Sequence, residues 1–419
     1  MFETTQNFGK GSAYTSLSIQ ELREIIEHSL DSIQPNTKVL AIIPDTSRDD
    51  NTDILFPFTD DILRSKGVTK FDALVAQGTH PPISKDEKQN KIGLENFAGN
   101  IFDHEWNNSE KLTSIGKFSN EEISKITNGA FACEVDLTIN KLILDYDLIL
   151  IFGATVPHEV AGFSGGAKYF FPGISGADLT HATHWIGALA GIENIIGRIE
   201  TPTRFLIEKA ADFIPRKIIN FTSVVSRSED NILQTHALFA GDFRKSFRKS
   251  AEISRQIHIK SVKKKYKKVI AILDKHYNEL WTGGKASYKL GGIIEDGGEL
   301  IIYAPHLTQI SETHGSFIEK FGYAPIEKIK EFAANSVELR NNLCVAAHLA
   351  HVSYCGNATN LFSPKYQITL ATQINAEVCK KVNLNFFDYK KFNLADFQNN
   401  DETLIVENAG RDLYLVNAE

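Results

Sequence analysis

The feature that most constrains the fold is a short apolar run that ends in a polar cluster and recurs along the first half of the chain. Three such runs have the length and composition of buried strands: Val39–Pro44, Phe71–Ala76 and Leu148–Phe152. A segment with helical spacing of its apolar residues, Ile54–Leu63, connects the first two runs. Strand, loop, helix and strand in this order predict an α/β fold with a largely parallel sheet.

Polar side chains follow these runs at the point where each predicted strand ends. The first run leads into DTSR, Asp45–Arg48, and the second leads into QGTH, Gln77–His80. In open α/β sheets, ligands bind beyond the carboxyl ends of the strands. We therefore expect both clusters, together with the loop that follows Phe152, at the ligand-binding edge of one sheet.

The loop after Phe152 has the composition of an active-site loop. It is dense in glycine as far as Trp185, and glycine lets the backbone adopt positive φ and approach a ligand closely. It also contains four basic side chains: His158, Lys168, His181 and His184. Because a connection of this length without regular structure is usually functional when it is ordered, we expect the chemistry here.

The α/β pattern begins again after a basic segment, SVKKKYKK, at Ser261–Lys268. Strand-like runs at Val269–Leu273 and Glu299–Ala304 then alternate with a helical pattern at Trp281–Leu290. The 419 residues favour two domains, which we place at 1–262 and 266–400. Each is predicted to have a largely parallel sheet with flanking helices, with the active site in the cleft between them. A tail, 401–419, could return to the first domain.

Charge and cysteine content exclude several classes of function. A formal net charge of −7 argues against a general binder of nucleic-acid phosphates, so the basic segment is interpreted as a solvated linker. No run is long and apolar enough to span a bilayer, and no secretory signal follows Met1. The cysteines lack CxxC spacing and are interpreted as free thiols: Cys133, Cys344, Cys355 and Cys379. We predict a cytoplasmic protein that binds neither nucleic acid nor membrane.

One motif in the loop suggests a different chemistry. The segment GFSGG matches G-x-S-x-G, the nucleophile motif of α/β-hydrolases, and would make Ser164 the nucleophile. That motif requires the serine in a sharp turn directly between a strand and a helix. Here residues that include Pro157 separate Ser164 from the predicted strand, and Pro172 would interrupt a following helix. A serine hydrolase therefore remains an alternative function, and a non-catalytic protein that binds small acids is a second.

The residues alone do not define the reaction. The loop histidines are candidates for metal ligands, acid/base groups or ordinary hydrogen-bonded side chains, and no HExxH or Cys/His zinc spacing is present. Several histidines together with a lysine and an arginine indicate a pocket for an anionic substrate.

Taken together, these clusters resemble the nickel-pincer-nucleotide-dependent lactate racemase family. The resemblance rests on five pieces, DTSR at Asp45–Arg48, GTH at Gly78–His80, PHEVAGFSGGAKYFFPG at Pro157–Gly173, His184, and WTGGK at Trp281–Lys285. Their order and spacing agree across most of the chain. The resemblance implies that 1–262 binds the cofactor and performs catalysis, and that 266–400 closes over the substrate.

The family cofactor implied by this resemblance is the nickel complex of pyridinium-3,5-bisthiocarboxylic acid mononucleotide. At the matching positions, Lys168 would be its covalent anchor and His184 would be the nickel ligand. An imidazole combined with sulfur donors suits nickel. The nucleotide end would be held by the first cluster, which consists of Asp45, Thr46, Ser47 and Arg48. Enzymes that synthesise the cofactor would be partners in maturation.

The resemblance also implies a mechanism with His80 and His158 as paired acid/base groups. One histidine removes the hydroxyl proton of a small anionic 2-hydroxy acid while C2 gives a hydride to the pyridinium ring. The hydride then returns to the other face of the planar 2-oxo acid, and the second histidine handles the proton. The substrate would be bound by four residues: Arg48, Trp281, Thr282 and Lys285.

The sequence departs from the family at positions that would face the substrate. The family commonly has tyrosine and glutamine where Trp281 and Thr282 stand, and arginine in place of Ala167. A threonine offers only a hydroxyl where the glutamine would offer an amide. The resemblance therefore implies a racemase or epimerase of a 2-hydroxy acid other than lactate, such as a sugar acid. His348 and His351 match no family motif and are expected to be ordinary polar residues.

Overall fold

The chain folds around two sheets that belong to separate units. The computed structural model describes residues 7–47, 49–228, 230–354, 363–398 and 400–417. By their contacts, unit 1 comprises Met1–Thr183 and Ile199–Ile257, and unit 2 comprises His184–Arg198 and His258–Glu419. The chain passes from unit 1 to unit 2 for the last time between Ile257 and His258. This point lies a few residues before the boundary predicted from the basic segment. Nothing in the sequence indicated that 184–198 groups with the second unit.

Unit 1 contains the first eleven strands and most of the first seven helices. The strands are β1 (Phe8–Gly11), β2 (Lys38–Ile43), β3 (Lys70–Val75), β4 (Ile101–Phe102), β5 (Leu112–Phe118), β6 (Val135–Asn140), β7 (Leu148–Ala154), β8 (Pro157–His158), β9 (Gly162–Phe163), β10 (Lys217–Arg227) and β11 (Leu233–Gly241). The helices are α1 (Ile19–Ser29), α2 (Thr52–Ser65), α3 (Lys85–Ile92), α4 (Asn120–Ile126), α5 (Ala177–Ala190), α6 (Pro202–Ala211) and α7 (Phe243–His258).

Seven of these strands form one sheet in the order β1-β11-β10-β7-β2-β3-β4. The five strands from β10 to β4 are parallel, whereas β11 is antiparallel to β10 and β1 is antiparallel to β11. The predicted α/β class with a largely parallel sheet is confirmed. Strand β6 pairs with β5 outside this sheet. The antiparallel hairpin between β10 and β11 was not predicted.

Local sequence signals account for the helices that cover the sheet. Ser18 caps α1 in a capping box with Glu21, and Thr201 caps α6 directly before its first-turn proline. Buried residues of α1 and α2, such as Ile26 and Phe56, pack with strand residues such as Phe152 in one apolar core. Each such fully buried side chain contributes roughly 1.5–3 kcal/mol through its removal from water.

The connectivity of this sheet includes a reversal of strand order at β2. From β2 the chain continues to β3 on one side, and it later reaches β7 on the other side of β2. In doubly wound sheets, such a reversal of strand order opens a crevice at the carboxyl ends of the strands. Asp45 follows β2 at this edge, His80 follows the neighbouring β3, and the glycine-rich loop follows β7.

Unit 2 is a smaller α/β unit. Its strands are β12 (Ile259–Val262), β13 (Tyr266–Ile272), β14 (Ile294–Ala304), β15 (Gln367–Thr372), β16 (Asn385–Phe386), β17 (Thr403–Val406) and β18 (Leu413–Val416). Its helices are α8 (Leu280–Gly283), α9 (Lys285–Leu290), α10 (Gly315–Phe321), α11 (Ile326–Asn335), α12 (Val337–Arg340), α13 (Leu343–Val352) and α14 (Ala376–Lys381). Five strands form a parallel sheet in the order β16-β15-β14-β13-β17.

The end of the chain differs from its predicted return to the first domain. Strand β17 joins the sheet of unit 2 beside β13, and β18 pairs with β12, whose residues also group with unit 2. The described part of the tail is therefore held by strand pairing within the second unit. The helix predicted over Trp281–Leu290 is divided at Gly284 into α8 and α9. Among the described residues, no helix is long and apolar enough to cross a membrane.

Candidate active site

A buried carboxylate holds one of the two predicted acid/base histidines. One oxygen of Asp45, Oδ1, accepts hydrogen bonds from the backbone nitrogen and the hydroxyl of Ser47, at 3.0 and 2.6 Å. The other oxygen, Oδ2, lies 2.6 Å from Nδ1 of His80. The Asp45 side chain is 8% exposed and the His80 side chain is 37% exposed, so the ring lies on the open side of the pair. Ser47 is thus engaged in holding Asp45, while Thr46 is exposed.

The turn that carries His80 is fixed to the end of the glycine-rich loop. Gly78 has a φ of +57°, and its nitrogen donates to the carbonyl of Gly173 at 2.9 Å. The amide of Gln77 donates to the carbonyl of His80 at 3.4 Å. The Gln77 side chain is buried, and its Oε1 has no hydrogen-bond partner among the described residues. The site therefore keeps one buried acceptor that a ligand hydroxyl can use.

His158, the second predicted acid/base group, lies in a different hydrogen-bonding environment. It is buried in the two-residue strand β8, which forms a tight hairpin with β9. Its Nδ1 accepts a hydrogen bond from the backbone nitrogen of Val160 at 3.1 Å. The carboxylate of Glu159 lies 3.6 Å from the same nitrogen, beyond hydrogen-bonding distance.

Ser164 has a structural role in this hairpin. Its hydroxyl donates to the carbonyl of Ala154 and accepts from the nitrogen of Val156, both at 2.9 Å. A serine nucleophile needs a base within hydrogen-bonding reach to take its proton. Here the proton points to a backbone carbonyl, and the hydroxyl ties the hairpin to the end of β7. This arrangement does not favour the hydrolase alternative.

A buried arginine that the sequence analysis missed fixes the glycine-rich loop. Arg204 of α6 is fully buried, and its guanidinium donates to the carbonyl of Gly165 at 3.0 Å and to the carbonyl of Phe163. It also stacks 3.9 Å above the ring of Phe247. Burial lowers the pKa of Arg204 to about 10, so the side chain stays charged at neutral pH. One sequence signal could have identified Arg204 as buried: its helical spacing from Ile207 places both side chains on the buried face of α6.

The loop needs glycine where it packs against the strand that precedes it. Gly165 has a φ of +91°, and a Cβ there would lie 2.5 Å from the hydroxyl oxygen of Thr155. A Cβ at Gly153 would lie 2.0 Å from the hydroxyl oxygen of Tyr169. The predicted cofactor anchor, Lys168, lies between these contacts in a single 3-10 turn, Gly166–Tyr169, and is partly exposed.

Helix α5 carries the last two histidines of the loop region. His181 groups with unit 1, and burial lowers its pKa although nearby Asp178 opposes the shift. His184, the predicted nickel ligand, groups with unit 2. The charge of His184 contributes to lowering the pKa of His348, which groups with the same unit.

Unit 2 contains a cluster of histidines around a tryptophan. The ring of Trp281 lies 4.0 Å from the ring of His348 and 4.4 Å from the ring of His314. Nδ1 of His348 lies 2.7 Å from the hydroxyl of Tyr288. Burial, with smaller effects from three neighbouring histidines that include His351, holds the pKa of His348 well below its ordinary value. His348, for which the sequence indicated no role, thus contacts a residue predicted to bind substrate.

The other predicted substrate residues are placed as follows. The hydroxyl of Thr282 donates to the carbonyl of Glu279, the residue that precedes α8, at 3.1 Å, so its proton is already engaged. The ammonium of Lys285 lies 5.6 Å from the centre of the Tyr277 ring. Arg48 lies outside the described residues, as does Cys355. Within the described ranges, Cys133 and Cys379 are free thiols and Cys344 is buried.

Comparisons with known proteins support a relation to lactate racemases. Residues 18–193 match the lactate racemase N-terminal domain family. The lactate racemase of Thermoanaerobacterium thermosaccharolyticum is 30% identical over 156 residues, and that of Lactiplantibacillus plantarum is 30% identical over 173 residues. These alignments cover 37% and 39% of this chain. The chain spans only 34% and 38% of the length of these relatives.

Solved structures are similar over nearly the whole chain. The crystal structure of a protein from Thermotoga maritima has a TM-score of 0.88 and 28% identity, covering 96% of this chain and 99% of that one. The lactate racemase apoprotein of Thermoanaerobacterium thermosaccharolyticum has a TM-score of 0.70 at 20% identity, covering 95% and 93%. This second likeness concerns the fold alone. The family match covers residues 18–193, which is less than half of the chain.

Proposed function

We propose that this protein is a racemase or epimerase of a 2-hydroxy acid other than lactate. The observation that carries the proposal is that His80 and His158 each follow the carboxyl end of a parallel strand, and that these two strands lie in the same sheet. His80 follows β3, His158 follows β7, and β2 with its Asp45 lies between these two strands. A reaction that interconverts mirror-image alcohols needs an acid/base group for each of them, and histidine titrates near neutral pH.

The described residues fit the tethered nickel-pincer nucleotide of the resembling family. Lys168 lies in a turn whose backbone is fixed on both sides, and the unpaired Oε1 of Gln77 can accept from a ribose hydroxyl. No three His, Cys, Asp or Glu side chains in the described ranges are placed to hold a metal together, so nickel would need ligands from the cofactor. In this proposal Lys168 is the covalent anchor, and His184 supplies the imidazole ligand.

Within this function, the protein residues bind the acid and move its hydroxyl proton. The bound cofactor would supply a reversible acceptor for the hydride from C2. His80 or His158 takes the hydroxyl proton and returns it after the 2-oxo acid has exposed its other face. Lys285, with Arg48, pairs with the substrate carboxylate.

The surroundings of Trp281 support a substrate larger and more polar than lactate. Two imidazole rings contact the indole of Trp281, and an aromatic side chain suits the carbon–hydrogen faces of a sugar acid. The proton of Thr282 is already used by a backbone carbonyl, so this side chain offers a substrate hydroxyl an acceptor only.

The proposal is tested by producing the protein together with enzymes that synthesise the cofactor. We expect an intact-mass adduct on Lys168, nickel in the purified protein, and interconversion of the C2 epimers of at least one 2-hydroxy acid in a chiral assay. Lys168→Ala should lose the adduct and the activity, whereas Lys85→Ala, which changes a lysine on the exposed helix α3, should retain both. An adduct that persists in Lys168→Ala, or loaded protein that interconverts no 2-hydroxy acid, would contradict the proposal.

A further inference from the structure

We infer that Asp45 is a positioning residue that presents His80 as a base, and that the two histidines hold opposite tautomers. The inference rests on the proposed function, in which both histidines exchange the substrate proton. It gives Asp45 a different task from the one the family resemblance implied, which was to hold the nucleotide.

The contacts of Asp45 fix the proton position on His80. A carboxylate can only accept hydrogen bonds, so Nδ1 of His80, 2.6 Å from Oδ2, must donate. In the neutral imidazole this leaves Nε2 without a proton. Because Nδ1 is held by the buried carboxylate, Nε2 lies on the far side of the ring, where the side chain is exposed. His80 therefore presents a lone pair to a ligand.

The contacts of His158 fix the opposite arrangement. The backbone nitrogen of Val160 can only donate, so Nδ1 of His158 accepts and carries no proton. The neutral ring then carries its proton on Nε2. A ring flip in this buried position would leave the Val160 nitrogen without that acceptor, which costs about 1–3 kcal/mol. In the neutral state, His158 therefore carries its proton on the ring nitrogen at which His80 carries a lone pair.

The two tautomers give the enantiomers unequal first steps. For the enantiomer whose hydroxyl faces His80, the oxygen–hydrogen bond breaks and the proton goes to Nε2. With the cofactor of the proposed function bound, an acceptor would be available for the hydride that leaves C2, and a 2-oxo acid would remain. For the mirror-image substrate, neutral His158 must first lose its Nε2 proton before it can accept one. We expect faster first turnover from the His80 side.

Asp45→Asn provides a specific test because the structure decides how the new amide will lie. The backbone nitrogen of Ser47 needs an acceptor, so the amide oxygen stays at the Oδ1 position. The amide nitrogen then faces Nδ1 of His80 and donates to it. The proton of neutral His80 is thereby moved to Nε2, and the base is lost. Replacing a carboxylate that orients a catalytic histidine costs up to about 10⁴-fold in rate.

The direct measurement is ¹⁵N NMR of the full chain labelled at histidine, without cofactor, at a pH where the rings are neutral. His80→Gln and His158→Gln assign the two sets of signals. We expect Nδ1–H for His80 and Nε2–H for His158 in wild type, and Nε2–H for His80 in Asp45→Asn. Asp49→Asn, which alters an exposed carboxylate paired with Arg227, should leave His80 unchanged.

The kinetic measurement uses loaded enzyme and each pure enantiomer of an accepted acid. In single turnovers followed up to the 2-oxo acid, Asp45→Asn should slow the half-reaction of the enantiomer whose hydroxyl faces His80 by about 10²–10⁴-fold and slow that of the other enantiomer less. Wild-type His80 protonated at Nε2 would overturn the inference, even if Asp45→Asn failed to fold. Reduced cofactor loading in Asp45→Asn with an unchanged His80 tautomer would also overturn it, and would assign Asp45 to the nucleotide. If NMR shows the expected tautomers but the loaded protein racemises no 2-hydroxy acid, only the proposed function is refuted.

Discussion

Replacing Arg204 with methionine tests whether one buried cation holds the glycine-rich loop in place. The change removes two hydrogen bonds from a charged donor to the carbonyls of Phe163 and Gly165. Each is worth about 1.5–3 kcal/mol, and the stacking on Phe247 is worth about 2 kcal/mol at a desolvated site. The total interaction that is lost is therefore about 5–8 kcal/mol.

The cost of burying the charge reduces this loss. A pKa of about 10 instead of 12.5 means that the folded protein spends roughly 3 kcal/mol to keep Arg204 charged, and methionine removes that cost. The net effect is a destabilisation of about 2–5 kcal/mol. Because these contacts lie in the loop, much of the effect should appear as local opening of residues 157–173.

The assay is hydrogen–deuterium exchange of peptides covering 157–173, combined with urea denaturation. We expect exchange in these peptides to accelerate by about 30-fold or more and cofactor loading at Lys168 to fall. Arg23→Met, which removes an exposed guanidinium paired with Asp61, is the matched control and should leave the loop unchanged. If Arg204→Met protects the loop as well as wild type does, the guanidinium is not what holds it.

Burial lowers the pKa of His104 to about 4, so stability should be lost as the pH falls from 6.5 towards 4, by about 3 kcal/mol. Urea denaturation at several pH values should show a smaller loss of unfolding free energy in His104→Gln than in wild type. An equal pH dependence in the two proteins would show that His104 is not the cause. His184→Ala should abolish nickel binding in loaded protein while His181→Ala retains it, and metal analysis giving the reverse order would assign the ligand to His181. His80→Ala and His158→Ala should each block full interconversion yet retain half-reactions with opposite enantiomers, followed by cofactor absorbance. Near wild-type racemisation by either variant would exclude that histidine as a base.

The elements around the site were predictable because their signals are local. The apolar runs of β2, β3 and β7 and the capping residues of α1 and α6 lie within a few positions of the features they determine. Parallel pairing then brings the polar clusters to one edge without further information. This is why Asp45 and His80, which are 35 positions apart in sequence, could be expected near each other.

The contacts that give these residues their roles could not be predicted in the same way. Whether Asp45 contacts a nucleotide or His80 depends on a single side-chain geometry, and both arrangements are compatible with the same motif. Arg204 lies 39 positions from Gly165, and nothing local marks it as the residue that binds the loop. The pairing of β17 and β18 within unit 2 likewise depends on long-range register rather than on the alternation of the tail itself.

The division into two units bears on how the substrate could change while the chemistry is kept. The hydrogen bonds that set the states of His80 and His158 come from Asp45 and Val160, all within unit 1. The ring contacts that hold Trp281 come from unit 2. The proton-handling contacts and the ring contacts of Trp281 thus belong to different units. Under the proposed function, departure from the resembling family at Trp281 and Thr282, with both histidines and Lys168 retained, is what a change of acid under constant chemistry would require.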